Sequence, residues 1–572
     1  MKGETVIDPK QLRLIDLLSG RLFTIPEYQR TYSWKSRQRR DFFDDVRGLL
    51  ASDDATVEHY MSTVVVLNRG VRTVLADDLQ VVEVVDGQQR LTTIVILLKA
   101  LSNRLCQLDG DHEKIGSALR SLLVKGDDAS LVLLQTNHDT THIFRDYLRR
   151  GDFEIPEEAP QTQSDRNIRD AIIECEKFVE GFDLEALIPL VRTIRNRLVF
   201  ILHSLDDERI VYTVFEVLNS RGLPVAWIDR LKSMLMAKVF EMGGNTDANV
   251  RELHEIWKDT YRALEMSSGA EPLRFAAVLK TGERTKGKLL SEELAVFALL
   301  EWCQLDLPRI IEASRWIVDV IRATRKIRSN PRIRALTRVS QARFVAIAIE
   351  LSTLSPDDKA KLFEEWERAI FRVFGVARKD SRTLSGKLIK LGIDIYSGAV
   401  TVERAIQILR KLSHDQAPYE VLESLMSADD WYPSWSSELR YLFYRYEEFL
   451  AASEGERVDT AAWEKIWSAR EDDTIEHVFP ISRADENDLT DEGVSVHRLG
   501  NLTILPPGLN SHLGNKDFTE KRLKYSESTL RSVREVAAFD AWGKTEILER
   551  ERKITDWVVQ NFLRSEGEGA NP

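Results

Sequence analysis

Three short runs of β-branched and apolar residues, Ser62–Leu67, Val81–Val85 and Leu198–His203, lack polar alternation, which predicts strands buried on both faces. Around them, Leu91–Leu105 and Glu208–Leu218 repeat apolar positions every three or four residues, as helices packed on a sheet do. Residues 1–235 therefore read as an α/β or α+β unit. From 236 to 435 strand signals fade and amphipathic helices follow one another: Glu252–Leu264, Glu292–Leu305, Ile310–Ile327, Asp358–Val376 and Val402–Leu412. A mobile loop is expected within Glu265–Lys288, where Ser267, Ser268, Gly269, Gly282 and Gly287 interrupt the pattern. The segment 436–572 opens with a helix over Ser437–Ala452, turns polar near Glu471–Asp473, and then becomes dense in short motifs. The expected fold class is multidomain, helix-rich α+β: an N-terminal domain (1–235), a helical connecting region (236–435) and a C-terminal domain (436–572). No period of 20 to 50 residues points to a solenoid, and the small polar residues Ser565–Pro572 are expected to fray.

Composition narrows this picture. With 572 residues, 43% hydrophobic and 30% charged, the chain has the make-up of a folded soluble protein. Lys+Arg 80 against Asp+Glu 92 gives 80 − 92 = −12, which excludes nucleic-acid binding through an overall basic shell but leaves room for local basic grooves such as Arg37–Arg40. Cys106, Cys175 and Cys303 are too few and too scattered for a disulfide framework or a CxxC zinc site. The first residues lack the apolar stretch of a signal peptide, and no apolar run approaches the roughly 18 residues of a membrane span. A cytoplasmic location and no membrane partner are expected.

The densest chemistry lies near the C-terminus. Thr474-Ile-Glu-His-Val-Phe-Pro480 is followed by His497-Arg-Leu-Gly-Asn501, a second apolar run to Leu505, and Asn510, with Lys516, Lys521, Arg522 and Lys524 beyond. This reads as a strand, a strand and a helix carrying a carboxylate, an imidazole and a carboxamide. A carboxylate with an amide oxygen suffices to hold a hard divalent ion that keeps most of its waters. An adjacent neutral His, with an ordinary pKa near 6.5, can take a proton from an attacking water. His497 and His512 read as structural or phosphate-facing. The four cations fit either phosphate contacts or a solvated helix face.

Two further segments stand out toward the N-terminus. Phe23–Trp34 crowds Tyr28, Gln29, Arg30, Tyr32 and Trp34 around Pro26, groups that suit stacking on a base or sugar. Asp86-Gly-Gln-Gln-Arg90 lies between a buried strand and a helix, where backbone N–H groups and an arginine can cradle phosphate. A third, Phe215–Pro224 with Asn219, Arg221 and Gly222, joins two helices, and Asp229-Arg-Leu-Lys232 follows.

The C-terminal motifs resemble those of the HNH, or ββα-metal, nucleases, and more closely the nuclease half of the GmrSD family of type IV, modification-dependent restriction endonucleases. The N-terminal segments resemble, in the same order, the ParB-like domain of that family. The resemblance implies a C-terminal ββα-metal fold in which His477 is the general base and Glu476 and Asn510 hold Mg²⁺ or Mn²⁺. Asn501 would brace the catalytic hairpin, and Lys516, Lys521 and Arg522 would contact DNA phosphates. It implies, too, that Asp86, Gly87, Gln88, Gln89 and Arg90 bind and hydrolyse a nucleoside triphosphate, with Arg30, Asn219 and Arg221 nearby. The identity of that nucleotide, GTP, UTP, CTP or ATP, is left open. Tyr28, Gln29, Tyr32 and Trp34 become the sensor of a DNA modification, either a phosphorothioate or a modified cytosine. The implied function is nucleotide-regulated cleavage of modified double-stranded phage DNA, with a homodimer left open. The rival readings are a nucleotide-hydrolysing DNA-binding regulator with a non-cleaving tail, and a ParB-like adaptor without enzyme activity.

One motif stays outside this scheme. Gly282-Glu-Arg-Thr-Lys-Gly-Lys-Leu289 matches the start of a P-loop, but Leu289 stands where Ser or Thr would reach Mg²⁺. It reads as a flexible basic loop that could touch DNA.

Overall fold

The computed structural model describes residues 9–26, 29, 31–52, 54, 56–74, 77–125, 131–136, 143–150, 163–206, 226–242, 246–264, 269–432, 436–486 and 494–564. The chain divides into two compact units, the first Met1–Leu273 with Glu292–Ile321, the second Arg274–Ser291 with Arg322–Pro572.

The first unit is built on a six-stranded mixed sheet. Its strands are β1 (Lys10–Arg13), β2 (Arg21–Ile25), β3 (His59–Val74), β4 (Asp77–Asp86), β5 (Leu134–Thr136) and β6 (Leu198–Leu205), in the order β1-β6-β3-β4-β2-β5. β3 and β4 form an antiparallel hairpin; β6 joins β3 in parallel, and β2 joins β4 in parallel. The three runs read from sequence are thus the sheet's centre; Val64–Leu67 is buried on both faces, as expected, whereas on β4 Val82 and Val84 are buried but Val81 and Glu83 stay partly exposed. Helix α1 (Gln88–Cys106) leaves β4 through Gly87 and buries nearly its whole circumference, including Leu91, Ile94, Leu98 and Leu101. The helix expected over Glu208–Leu218 lies outside the described residues.

Between 226 and 432 the described chain is helical, apart from the turn around Lys286, as its periodicity indicates. The expected helices appear at Thr246–Leu264, Glu292–Cys303, Leu307–Ser329, Pro356–Ile370 and Val402–Gln416, and the fourth runs on as a π-helical turn, Phe371–Val376. The mobile loop expected within 265–288 falls in part on 265–268, which lie outside the described residues. Within 265–288 the chain forms a helix, Ala270–Thr281, whose Leu273, Phe275, Ala276, Ala277 and Val278 are fully buried. Its glycines flank that helix rather than interrupt it. The basic stretch after it is a tight hairpin: Thr285 and Lys288 exchange two backbone hydrogen bonds of 3.1 and 2.9 Å around Lys286 and Gly287. No helix among the described residues is long and apolar enough to cross a membrane.

The second unit also contains helix α2 (Ser381–Tyr396) and the C-terminal motif region. There β7 (Ile475–His477) pairs antiparallel with β8 (Leu502–Ile504), followed by α3 (Pro507–Leu513), α4 (Phe518–Ser526) and α5 (Lys544–Trp557). The strand, strand, helix order matches the sequence reading.

Candidate functional site

Adjacent residues of a strand point to opposite faces, and this decides how the C-terminal hairpin is wired. Glu476 turns inward. Tyr525 Oη donates to its Oε1 at 2.8 Å, and Lys521 Nζ stands 2.7 Å from the same oxygen. Lys521 also donates to the carbonyls of His477 and Val478, at 2.9 and 3.3 Å. Burial pushes the Glu476 carboxyl up and the Lys521 ammonium down, each opposed by the other's charge. Lys521 is fully buried, so its expected place on a phosphate-facing surface is corrected: the cation balances a carboxylate inside the fold.

His477 faces the other way, toward His497. Its Nε2 lies 3.2 Å from His497 Nδ1, so one imidazole donates and the other accepts. Tyr432 packs edge-on against His477 and stacks over His497, with ring centroids 4.7 and 5.7 Å away. Burial, then the neighbouring His497 and Lys521, push the His477 pKa down to about 3. His497 is more open, and burial lowers its pKa too. Both imidazoles are therefore neutral at neutral pH, the form in which a ring nitrogen can accept a proton.

Asn501 holds the hairpin together. Its Oδ1 accepts from Phe479 N (2.8 Å) and Trp542 Nε1 (3.0 Å), and its Nδ2 donates to Phe479 O (3.0 Å) and Val496 O (2.9 Å). All four hydrogen-bonding positions of a carboxamide are filled, which makes Asn501 a brace. Gly500 beside it lets α5 lie directly on the chain: a Cβ there would stand 1.9 Å from Ile547 O. Arg550 reaches back from α5 to the carbonyls of Gly500 and Leu502, at 2.8 and 2.6 Å.

Asn510, on α3, donates to the carbonyls of Asp473 and Ile475, at 2.9 and 3.3 Å. It ties the helix to the start of β7 and does not share a site with the Glu476 carboxylate, which lies against Lys521 and Tyr525. As placed, the two do not fit a divalent ion. Among the described residues no group of three or more His, Cys, Asp or Glu gathers as a metal site. Of the remaining cations, Arg522 pairs with Asp540 at 2.9 Å, and half-buried Lys516 contacts His512 Nε2 at 3.2 Å.

The N-terminal motif is a turn on the first unit. Gly87 caps α1 at φ 93°, and a Cβ there would lie 3.1 Å from Val64 Cγ2, so conformation and close approach both call for glycine. Gln89 is buried and accepts from Ser33 N (2.7 Å) through Oε1 while donating to Thr31 O (3.1 Å) through Nε2. Gln88 is buried as well, but its Oε1 has no partner. Arg90 is more than half-buried; burial lowers its pKa, and Asp86, Tyr60 and Asp45 are the groups opposing that shift. An orphaned acceptor beside a partly buried arginine at a helix start fits a nucleotide, the arginine for phosphate and Gln88 Oε1 for a hydroxyl or amino group. Arg30, Asn219 and Arg221 lie outside the described residues.

The expected sensor segment is corrected in part. Tyr32 is buried, its hydroxyl 2.8 Å from Thr93 Oγ1 and its pKa pushed up to about 12 by burial, so it presents no ring to a base. Trp34 packs against the core, and Gln29 donates to Val85 O at 3.2 Å. Tyr28 lies outside the described residues. Within Arg37–Arg40, Arg39 is 2% exposed and binds Glu174 through two 2.8 Å bonds, leaving Arg37 and Arg40 at the surface.

Sequence reasoning did not single out Tyr432, Trp542, Tyr525 or Arg550. Only Tyr525 carried a local signal: it lies four residues after Lys521, hence on the same helical face.

A family model described as GmrSD restriction endonuclease, N-terminal domain, matches residues 14–236, and one described as GmrSD restriction endonucleases, C-terminal domain, matches residues 418–557. No curated protein matches the chain.

Proposed function

The chain belongs to the GmrSD restriction endonuclease family and acts as a DNA endonuclease in restriction; from that premise we propose that it cuts DNA at the His477 face of the C-terminal hairpin under the control of a nucleotide bound at Gly87–Arg90. The observation that carries the first half is the 3.2 Å imidazole pair, His477 and His497, on a hairpin braced by Asn501. In the proposed step a water oxygen bonds to phosphorus, the bond to one sugar oxygen breaks and that oxygen takes a proton from solvent, and the imidazole of His477, its proton affinity raised by the negative phosphate of bound substrate, takes the water's proton. His497, hydrogen-bonded to that ring, sets its orientation and tautomer. No step is assigned to a divalent ion, since Glu476 and Asn510 as placed do not fit one.

The nucleotide half rests on Gln88 Oε1 and Arg90. There the triphosphate would supply a hydrolysable phosphoanhydride, and this chain's residues would bind and orient it. Modified phage DNA, carrying either a phosphorothioate or a modified cytosine, is the proposed target. Reading of the modification is assigned to Tyr28 and to Trp34, which stays partly exposed, since Tyr32 is packed inward.

The test is cleavage of matched modified and unmodified duplexes by the purified protein and by His477→Ala. A loss of at least about 100-fold is expected for the variant, and undiminished cleavage would overturn the assignment. Repeating the assay with chelator, then with added Mg²⁺ or Mn²⁺, separates two forms of the site. Chelator-resistant cutting fits the imidazole pair alone. Strict ion dependence would mean that Glu476 leaves Lys521 when substrate binds.

A further inference from the structure

The hairpin Arg284–Lys288 lies outside both regions that match the family. It is held with unusual care for a surface turn. Lys286 and Gly287 occupy its two central positions at φ 48° and 71°, the left-handed pair of a two-residue hairpin. Asn, Asp or Gly usually fills the first of these positions, and a lysine there is strained. Gly287 rests on Gly386 of α2: a Cβ on Gly287 would meet Gly386 Cα at 3.4 Å, and one on Gly386 would meet Gly287 O at 3.5 Å. Backbone thus lies against backbone, and the side chains are left to point elsewhere.

Those side chains are cations. Arg284, Lys286, Lys288 and, beside the seat, Lys387 are exposed and stand without an acidic partner among the described residues. In a chain with a net charge of −12, such a cluster is a local exception. It is also linked to the proposed cutting site by contacts within the second unit. Ser385, next to Gly386, accepts from Gln341 Nε2 at 3.2 Å. Arg338, three residues before Gln341, pairs with Glu471 at 2.8 Å. The Glu471 carbonyl in turn receives Thr474 N at 3.1 Å, at the threshold of β7 and His477.

We propose that the Arg284–Lys288 hairpin, seated on Gly386 with Lys387 beside it, is a phosphate-binding surface for the backbone of double-stranded DNA. The inference rests on the chain acting on DNA, and it adds where the duplex is held. Four exposed cations without acidic partners among the described residues suit phosphate oxygens, each neutralised phosphate releasing counterions. Because backbone contacts carry no sequence information, this surface binds modified and unmodified DNA alike. Discrimination is left to other groups.

The experiment measures duplex affinity against salt, between about 50 and 200 mM, in the full-length His477→Ala protein so that the DNA survives. Adding Arg284→Ala, Lys286→Ala and Lys288→Ala should lower the slope of log K against log[salt] by about 3 and weaken binding at least tenfold, equally on both duplexes. Lys286→Asn guards against misfolding, since asparagine suits the left-handed position; it should keep the turn and lower the slope by about 1. Unchanged affinity and slope in the triple variant overturn the proposal. So does loss of nucleotide binding with DNA binding intact, which would make the hairpin a nucleotide loop. The two readings fail separately: a wild type that binds with the full slope but never cuts removes the nuclease assignment and leaves the hairpin, whereas normal cutting and binding by the triple variant removes the hairpin alone.

Discussion

The turn at Gly87–Arg90 and the hairpin at Glu476–His477 treat neighbouring polar residues in parallel ways. In each pair one side chain clamps neighbouring segments of the fold and the other faces a different side. Gln89 clamps the backbone of Thr31 and Ser33, while Gln88 keeps an unpartnered oxygen. Glu476 is bound by Lys521 and Tyr525, while His477, itself buried, meets the more open imidazole of His497. The difference lies in charge. The N-terminal clamp is neutral on both sides, whereas the C-terminal one is a buried ion pair whose removal by halves leaves an uncompensated charge. A motif's letters therefore divide between structure and chemistry, and the division follows which face of the element each residue occupies.

The largest effect is expected from Lys521→Met. It should destabilise the protein by about 3–5 kcal/mol in chemical denaturation, because Glu476 stays buried without its cation. Glu476→Gln added to it should restore most of that loss. Equal stability of Lys521→Met and wild type would show that the carboxylate is not held as described.

Next in size is a pH effect. The folded pKa of His477, about 3, lies below its unfolded value, so its neutral form stabilises the fold fully above pH 6.5. As pH falls through that value the unfolded chain takes up a proton that the folded one refuses. Relative to His477→Asn, wild type should lose on the order of 2 kcal/mol between pH 7 and roughly 4.5. Gln88 and Gln89 do not titrate, and their variants should run parallel to wild type across this window. A stability difference between wild type and His477→Asn that is independent of pH would contradict the burial of the imidazole.

Gln89→Leu should cost about 1–3 kcal/mol, read from thermal or denaturant unfolding, by leaving Ser33 N and Thr31 O without their partner. Gln88→Leu should have the smallest effect on stability, near zero, since it removes an unsatisfied acceptor, yet it should weaken nucleotide binding in a titration. If the two glutamine variants behaved alike, the split within the N-terminal motif would be lost.

The sequence was legible where a local signal decides the outcome. The β-branched runs gave β3, β4 and β6, the three- and four-residue periods gave most of the helices, and Gly87 and Gly500 marked turns that close packing demands. It was less legible where partners come from far along the chain. Lys521 looked like one of four surface cations because nothing local says that its helix face meets Glu476, 45 residues earlier in the chain. Tyr432 reaches the two imidazoles from a segment with no motif at all. Tyr32, grouped by composition with exposed aromatics, is drawn inward by Thr93 of α1. The helix Ala270–Thr281 was obscured by the glycines on its flanks.

The contact between Gly500 and α5 also bears on when this protein becomes dangerous to its host. During synthesis, the residues of β7 and β8 leave the ribosome before those of Lys544–Trp557, whose Ile547 and Arg550 lie against Gly500 and hold the carbonyls of Gly500 and Leu502. Trp542, which fills one side of Asn501, is also made late. For the several seconds that those forty to fifty residues take at about 5–20 residues per second, a nascent chain carries its nuclease letters without the brace that gives them shape.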